Sequence, residues 1–294
     1  MKPIIKYRGG KSKEIKYFEQ YIPQDYDRYI EPFFGGGALY FYLEPQKAII
    51  NDINKNLMNF YSEISQKYDI IKKELSDIEK IYIANRNEFD KLKKDTPDQH
   101  VLDLNEKLYY SIRDMYNNKV EKKYSDSTIY YFINKTSYSG MIRYNSSGEF
   151  NVPFGRYKNF NTQLITINHA KLLKNTQILC GDYENIFSMA TENDFMFLDP
   201  PYDCIFSDYG NIETKDGFLE KEHRRLAKNF YKLKCKAMMV IGKTKLTEEL
   251  YKDYIIGEYQ KNYSVNIRNR FRAAATHIIV VNYDWRVNTN GKDI

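Results

Sequence analysis

The apolar run Phe195-Met196-Phe197-Leu198 shows no alternation, and Asp199-Pro200-Pro201-Tyr202 follows it at once. A short run of this kind suits a parallel strand covered on both faces. The two prolines must end it, because neither has an N–H to contribute to a sheet. An acid, a stiff turn and an aromatic ring then stand at the carboxyl end of a central strand, where open α/β sheets hold their ligands. The Asp199 carboxylate and a proline carbonyl make two acceptors side by side, which match a planar NH2 group. The Tyr202 ring can lie flat against the heterocycle that carries that group. These four residues therefore point to an amino-heteroarene such as the N6 edge of adenine. A strand closing on a proline turn with an ordinary capping Asp is the plainer alternative, and the rest of the chain decides between them.

Earlier in the chain, Arg28 to Pro32 reads as a short strand running into Phe33-Phe34-Gly35-Gly36-Gly37 and an apolar helix from Ala38 to Leu43. Strand, glycine turn and helix form the nucleotide-binding arrangement, in which small residues let a ligand approach the backbone and the helix start. The loop is neither G-x-G-x-x-G nor a P-loop. Its spacing is closer to the F-x-G-x-G loop of S-adenosylmethionine enzymes. A second strand, Lys47 to Asn51, ends in Asp52, which can hold a ribose diol or cap the helix that begins near Ile53-Asn54. Before both lies Lys6-Tyr7-Arg8-Gly9-Gly10-Lys11, a basic glycine turn suited to an anionic group such as a carboxylate or phosphate.

From about residue 55 to 118 the chain is expected to be helical, with Tyr61, Ile64, Tyr68 and Ile71, then Leu108, Ile112 and Met115, at helical spacing and a polar loop over residues 93–99. Residues 119–160 differ. Lys119, Lys122, Lys123, Lys135, Arg143, Arg156 and Lys158 face only three acids, a net +4. Aromatic and turn residues interleave with them over Tyr138 to Asn145 and Gly148 to Tyr157. Two basic-tipped loops separated by short strand-like pieces, a β-hairpin, suit a polyanion. Arg can reach guanine O6 and N7, Lys can contact phosphate, and an apolar tip residue can wedge into a base stack.

The α/β pattern resumes after residue 165, with a strand at Gln177 to Cys180 ending in Gly181-Asp182-Tyr183. Residues 203–217 read as a polar loop, either a lid or a connector. A helix is expected from Glu220 to Leu233, a buried strand from Cys235 to Ile241, and a terminal hairpin from strands near 262–267 and 276–283 around Arg268, Arg270 and Arg272, a basic loop that can touch phosphate.

Length allows one large or two modest domains with a sizeable core. The net charge of +6 is moderate, so its distribution matters more than its total. Three cysteines and four histidines are scattered without metal-ligand spacing, so no metal site is assigned and no disulfide framework is expected. No signal-peptide pattern and no apolar run near the ~20 residues of a membrane span occur, which points to a soluble, cytoplasmic protein without a membrane partner.

In this order the motifs resemble the DNA N6-adenine methyltransferases of the Dam type, the D12 class, in their α-group arrangement. The resemblance covers nearly the whole chain. It rests on Lys6 to Lys11, Glu31-Pro32-Phe33 with its glycine loop, Asp52-Ile53-Asn54, Arg143-Tyr144-Asn145, the string Gly148 to Lys158, and Asp199 to Tyr202. It implies an α/β, Rossmann-like S-adenosylmethionine-dependent methyltransferase fold, a seven-stranded mixed sheet with one reversed strand near its edge. Residues 1–54 and 166–294 would form the catalytic domain, and an inserted helical and β-hairpin domain, 55–165, would recognise DNA. The implied cofactor is S-adenosyl-L-methionine, bound by Tyr7, Gly9, Gly10, Lys11, Glu31, Pro32, Phe33, Gly35, Gly37, Asp52, Ile53, Asp182, Tyr183 and Asp199. In that scheme Tyr7, Gly9 and Lys11 touch its methionine end or neighbouring face, Phe33 and Ile53 pack against its adenine, Asp52 holds the ribose, and Asp182 and Tyr183 lie at the adenine edge. Asp199, Pro200, Pro201 and Tyr202 would act on a flipped adenine. Lys6, Tyr138, Ser139, Met141, Arg143, Asn145, Pro153, Arg156 and Lys158 would contact double-stranded DNA at GATC or another short GA-containing site. Tyr7 stands where the family has Trp, Ser139 where it has Asn, and Met141 where it has Leu, so the target sequence need not be identical. The enzyme would stand alone or be linked genetically, not physically, to a cognate restriction endonuclease. Methylation of RNA or of a protein glutamine amide, and a catalytically silent DNA-binding protein, are the rival readings.

Overall fold

The computed structural model describes residues 1–140, 142–201, 218–262 and 274–286. Its strands are β1 (Arg28–Glu31), β2 (Ala48–Asp52), β3 (Thr176–Cys180), β4 (Asp194–Leu198), β5 (Lys236–Gly242), β6 (Ile255–Asn262) and β7 (Ala274–Val281). Among the described residues they form one seven-stranded sheet in the order β3-β2-β1-β4-β5-β7-β6. The first five strands are mutually parallel. Strand β7 runs antiparallel to both of its neighbours. The strand order reverses between β1 and β4, the position at which open α/β sheets leave a crevice outside their carboxyl ends.

Every residue of β2 and β4 is buried, because helices cover both faces. Alternate side chains enter different cores. Tyr29, Ile50, Phe195 and Phe197 join one; Ile30, Ile49, Met196 and Leu198 join the other. Helices α6 (Tyr183–Phe187), α7 (Glu220–Phe230) and α8 (Lys245–Tyr251) cover the second face. Helices α1 (Ala38–Leu43), α2 (Lys55–Asp95) and α5 (Ile167–Lys174) contribute to the first, whose apolar packing continues into α3 (Leu104–Tyr116) and α4 (Asp126–Thr136). No helix among the described residues is long and apolar enough to cross a membrane.

Helix α2 is 41 residues long and departs from helical geometry at Lys67. Asn54 starts it by accepting from the Leu57 N–H. It runs to Asp95, so the loop expected over residues 93–99 begins three residues later than its composition suggested. Within residues 119–160, ahead of the two loops for which strand-like pieces were expected, the run Thr128-Ile129-Tyr130-Tyr131-Phe132-Ile133 is buried in α4. These residue types favour strands, but α2 supplies the acceptors that start a helix. Glu74 accepts from the Ser125 N–H and from the Ser125 and Thr128 hydroxyls, and Glu63 accepts from the Ser127 N–H. Two carboxylates at a helix N-terminus satisfy orphan donors and oppose the dipole. The hairpin expectation survives only as isolated bridges, Ser137 with Phe154 and Tyr144 with Phe150. The antiparallel pair of β6 and β7 overlaps the expected second strand at 276–281, while residues 263–267 of the expected first strand lie outside the described residues. Arg268, Arg270 and Arg272 lie outside the described residues, as does the loop 203–217.

The N-terminal segment is fastened to the reversed pair through Glu14, whose side chain is 6% exposed. It accepts from Lys261 Nζ (2.6 Å) and Tyr259 OH (2.7 Å) and contacts His277 Nδ1 (2.9 Å). Burial pushes its pKa up, but the His277 contact, the Lys11 charge, and the Lys261 and Tyr259 bonds prevail and pull it from 4.5 down to about 2.

Two expectations follow from these contacts. Glu74→Ala strands the donors at the start of α4 and should lower unfolding free energy by about 2 kcal/mol, read from the urea midpoint; an unchanged midpoint would remove the account of α4 given above. Glu14 has a depressed folded pKa, so its stabilisation is complete above the unfolded value of 4.5 and disappears as pH falls through the folded value of about 2. Glu14→Gln should therefore be less stable than the parent by on the order of 3 kcal/mol at pH 7, with the gap closing between pH 4.5 and 2 in paired melts.

Candidate active site

Strand β1 ends at Glu31, and the chain turns through Pro32-Phe33-Phe34-Gly35-Gly36-Gly37 into α1. Gly35 (φ 50°) and Gly37 (φ 64°) adopt left-handed conformations. Space is equally limiting. A Cβ on Gly35 would lie 2.8 Å from the Tyr7 ring, and one on Gly37 would lie 2.5 Å from the Phe34 ring. The loop is therefore pressed against Tyr7, and the turn Tyr7 to Gly10, closed by the Gly10 N–H on the Tyr7 carbonyl, lies beside it. Asp52, at the end of β2, accepts from the Gly35 N–H (2.9 Å) and the Asn54 N–H (3.0 Å). It thus holds the glycine loop and the start of α2 at once.

Glu31 is 2% exposed and accepts from Tyr29 OH at 2.8 Å. Burial drives its pKa well above the carboxylate range, and the nearby charges of Asp199 and Asp52 push the same way. Its carboxyl is thus biased towards the protonated form, a donor in the wall of the site.

Asp199 leaves β4 beside this loop. Lys11 Nζ, 1% exposed, lies 2.6 Å from Asp199 Oδ1, while the Asp199 side chain is 21% exposed. Burial raises the Asp199 pKa, and the Lys11 charge and hydrogen bond oppose the rise. The sequence reading missed this pairing. It had put Lys11 at a cofactor's methionine end, and no local pattern reports a contact across 188 residues. Pro200 and Pro201 line the same cavity. Tyr202 lies outside the described residues.

On the far side, Asp182 caps α6 by accepting from the Glu184 N–H (2.9 Å). The rings of Phe33 and Tyr183 lie 5.0 Å apart at 36°, and Phe218 meets Phe33 edge-on at 6.1 Å. These aromatics, with half-buried Ile53, offer apolar surface for a flat ring. The whole crevice encloses about 520 Å³ and is lined by Tyr7, Gly9, Gly10, Lys11, Glu31, Pro32, Phe33, Gly35, Gly37, Asp52, Ile53, Asp182, Tyr183 and Asp199. Every cofactor-binding residue expected from the sequence is thus in one cavity, within the size range of small-molecule sites. The crowded glycine loop, flat aromatic walls and two carboxylates fit a nucleoside-bearing cofactor. Among the described residues no group of three or more His, Cys, Asp or Glu side chains is placed to hold a metal ion.

The expected DNA-contact residues form a neighbouring surface. Asn134, 2% exposed, clasps the Lys6 backbone from both sides, accepting from its N–H (3.0 Å) and donating to its carbonyl (2.8 Å). Lys6 Nζ sits 4.6 Å from the Tyr157 ring centroid. Exposed Tyr138 donates its N–H to the carbonyl of exposed Pro153, and Ser139 has a left-handed backbone (φ 56°). Arg143 is exposed with its Nε on Asn151 Oδ1 (3.0 Å), while Asn145 turns inward to accept from the Ser147 and Glu149 N–H groups. Asn145 is therefore a turn-former here, an alternative its position in an Asn-Ser-Ser-Gly stretch could have signalled. Arg156 reaches Glu106 of α3 at 3.5 Å, and Lys158 is exposed. Met141 lies outside the described residues. Asn134 was missed because it sits within an apolar run and reads as core.

Comparison with known proteins agrees with this geometry. The profile of the D12 class N6 adenine-specific DNA methyltransferases matches residues 7–266. The Type II methyltransferase M.CviBI of Paramecium bursaria Chlorella virus NC1A is 36% identical over 295 residues, covering 96% of this chain and 100% of the relative. The Type II methyltransferase M.MjaIII of Methanocaldococcus jannaschii is 37% identical over 252 residues, 79% of this chain and 80% of the relative. The DNA adenine methylase of Haemophilus influenzae is 28% identical over 258 residues, 85% and 82% respectively. With its seven-stranded mixed sheet, its glycine loop and Asp199-Pro200-Pro201 at the strand reversal, the chain belongs to the D12 class of N6 adenine-specific DNA methyltransferases.

Proposed function

We propose that the protein transfers a methyl group from S-adenosyl-L-methionine to N6 of an adenine turned out of double-stranded DNA, at GATC or another short GA-containing site. The observation that carries the reading is the Lys11–Asp199 pair at 2.6 Å, set where the glycine loop and the Pro-Pro turn meet in one cavity. The cofactor supplies an electrophilic methyl group on a sulfonium. The chain's own residues do the rest. Asp199 and the Pro200 carbonyl accept hydrogen bonds from the adenine NH2, which localises the nitrogen lone pair and aims it. Lys11 keeps Asp199 ionised against the desolvation that raises its pKa. Tyr202 stacks on the extrahelical base, offsetting the lost base stacking by ~1–3 kcal/mol. Tyr7, Gly9, Gly10 and Glu31 to Gly37 shape the cofactor's seat, with Asp52 assigned to the ribose diol and Phe33, Ile53, Asp182 and Tyr183 to its base.

Residues 55–165 act in this scheme as the DNA-recognition unit and residues 1–54 with 166–294 as the catalytic unit. Lys6, Tyr138, Ser139, Met141, Pro153, Arg156 and Lys158 are assigned to the duplex. Asn145 shapes the loop that presents Arg143. Arg143 is assigned to a guanine, its Nε bond to Asn151 leaving the terminal NH2 groups for O6 and N7. The Type II names of two relatives support a restriction-modification setting with a cognate endonuclease, and the methylase names of others support a stand-alone enzyme.

The test is incubation of unmethylated plasmid with S-adenosylmethionine and single-molecule sequencing for N6-methyladenine. Marks confined to one GA-containing site are expected with the parent and none with Asp199→Ala, which still binds cofactor; near-normal marking by Asp199→Ala would sink the assignment. Lys11→Met removes the charge that opposes the rise in the Asp199 pKa. The acid limb of its kcat–pH profile should move to higher pH, with activity lost at a pH where the parent still turns over. An unmoved limb would show that Lys11 does not govern Asp199.

A further inference from the structure

Arg225 stands at the rim of the cavity, on α7, and no motif points to it. Its register is fixed from behind: Leu226 and Phe230 are fully buried in the core on that face of the sheet. From there the guanidinium reaches across to the start of α6. Nη1 and Nη2 take the two oxygens of Asp182, at 3.3 and 2.8 Å. Nη1 also meets Glu184 Oε2 at 3.2 Å, and Nε meets Glu222 Oε2 at 2.8 Å. The guanidinium carbon lies 4.6 Å from the centroid of the Tyr183 ring. One side chain thus fixes both the carboxylate and the aromatic face at this end of the cavity. A forked guanidinium can do so in a way that an ammonium cannot.

We propose that Arg225 is a positioning residue that makes the cavity selective for a purine carrying a 6-amino group. The inference rests on the reading of this cavity as the cofactor's seat. The argument is a count of lone pairs. Asp182 Oδ1 accepts from the Glu184 N–H and from Arg225 Nη1, which uses both of its lone pairs. Among the described residues Oδ2 accepts only from Arg225 Nη2, which leaves one lone pair for a ligand. A carboxylate gripped by this fork presents only acceptor atoms. Such an acceptor pairs with an exocyclic NH2 and repels a carbonyl oxygen at the same place. The Tyr183 ring, held between Arg225 and Phe33, sets the plane in which that purine lies. Arg225 need not touch the ligand itself. It acts by keeping the acceptor and the ring in register with each other.

The experiment is calorimetric titration of the full chain with S-adenosylhomocysteine and with its deaminated 6-oxo counterpart, S-inosylhomocysteine. The parent should favour the adenosyl compound by on the order of 10- to 100-fold, the effect of one hydrogen bond exchanged for an acceptor–acceptor clash. In Arg225→Met the preference should fall to within about 3-fold, chiefly because the adenosyl compound weakens, with a matching rise in the KM for S-adenosylmethionine. A merely structural role for Arg225 would weaken both compounds together and leave the ratio intact, and that result would overturn the proposal. Arg225→Lys keeps the charge without the fork. It should lose most of the preference, and it decides the question if the Met variant does not fold. A parent that binds neither compound would instead refute the cofactor reading of the cavity, and a parent that binds both equally would refute the role given to Asp182 and Arg225.

Discussion

Strands β1 and β4 are hydrogen-bonded neighbours, in register from Arg28 opposite Asp194 to Ile30 opposite Met196. They lie where the strand order reverses, so the chain segments leaving them diverge and open a crevice between. The glycine loop leaves one strand and Asp199 the other, about 4.8 Å apart across the ladder. The buried alternation of Tyr29, Ile30, Phe195, Met196, Phe197 and Leu198 between two cores makes a slip costly, since moving one residue would exchange every side chain between faces.

Around this pair of strands the electrostatics are lopsided. Glu14, Glu31, Asp52 and Asp199 gather near a single buried ammonium, Lys11. The fold copes by treating each carboxyl differently. Glu31 is biased towards its proton and bonded to Tyr29, Asp52 accepts from two backbone N–H groups, and Glu14 is clamped by Lys261, Tyr259 and His277. Asp199 is paired with Lys11 and still partly open to the cavity. Differences of environment, not of residue type, set these carboxyls apart.

The catalytic half was legible because its signals are local. Unalternating apolar runs, two prolines and a glycine loop each dictate backbone behaviour within a few residues, and Phe195 to Pro201 and Phe33 to Gly37 behaved accordingly. What escaped were effects carried by distant partners. Lys11 finds Asp199, Asn134 clasps Lys6 and Arg225 grips Asp182 through contacts that no spacing announces. Helix α4 escaped for the same reason, since the β-branched and aromatic run Ile129 to Ile133 is held helical with the help of carboxylates on another helix.

That last feature bears on how the chain assembles. The donors at the start of α4 are met by side chains 51 to 64 residues earlier. Helix α4 therefore cannot be a seed. It must wait until α2 has formed and docked, and until then Thr128 to Ile133 is an exposed, β-prone, uncharged stretch of the kind that pairs with copies of itself. The order of synthesis protects it, because α2 emerges first and can present Glu63 and Glu74 before the vulnerable segment is complete. A circular permutation that placed α2 after α4 would keep the contacts between these two helices and remove that protection, giving a chain more prone to aggregate during its own synthesis.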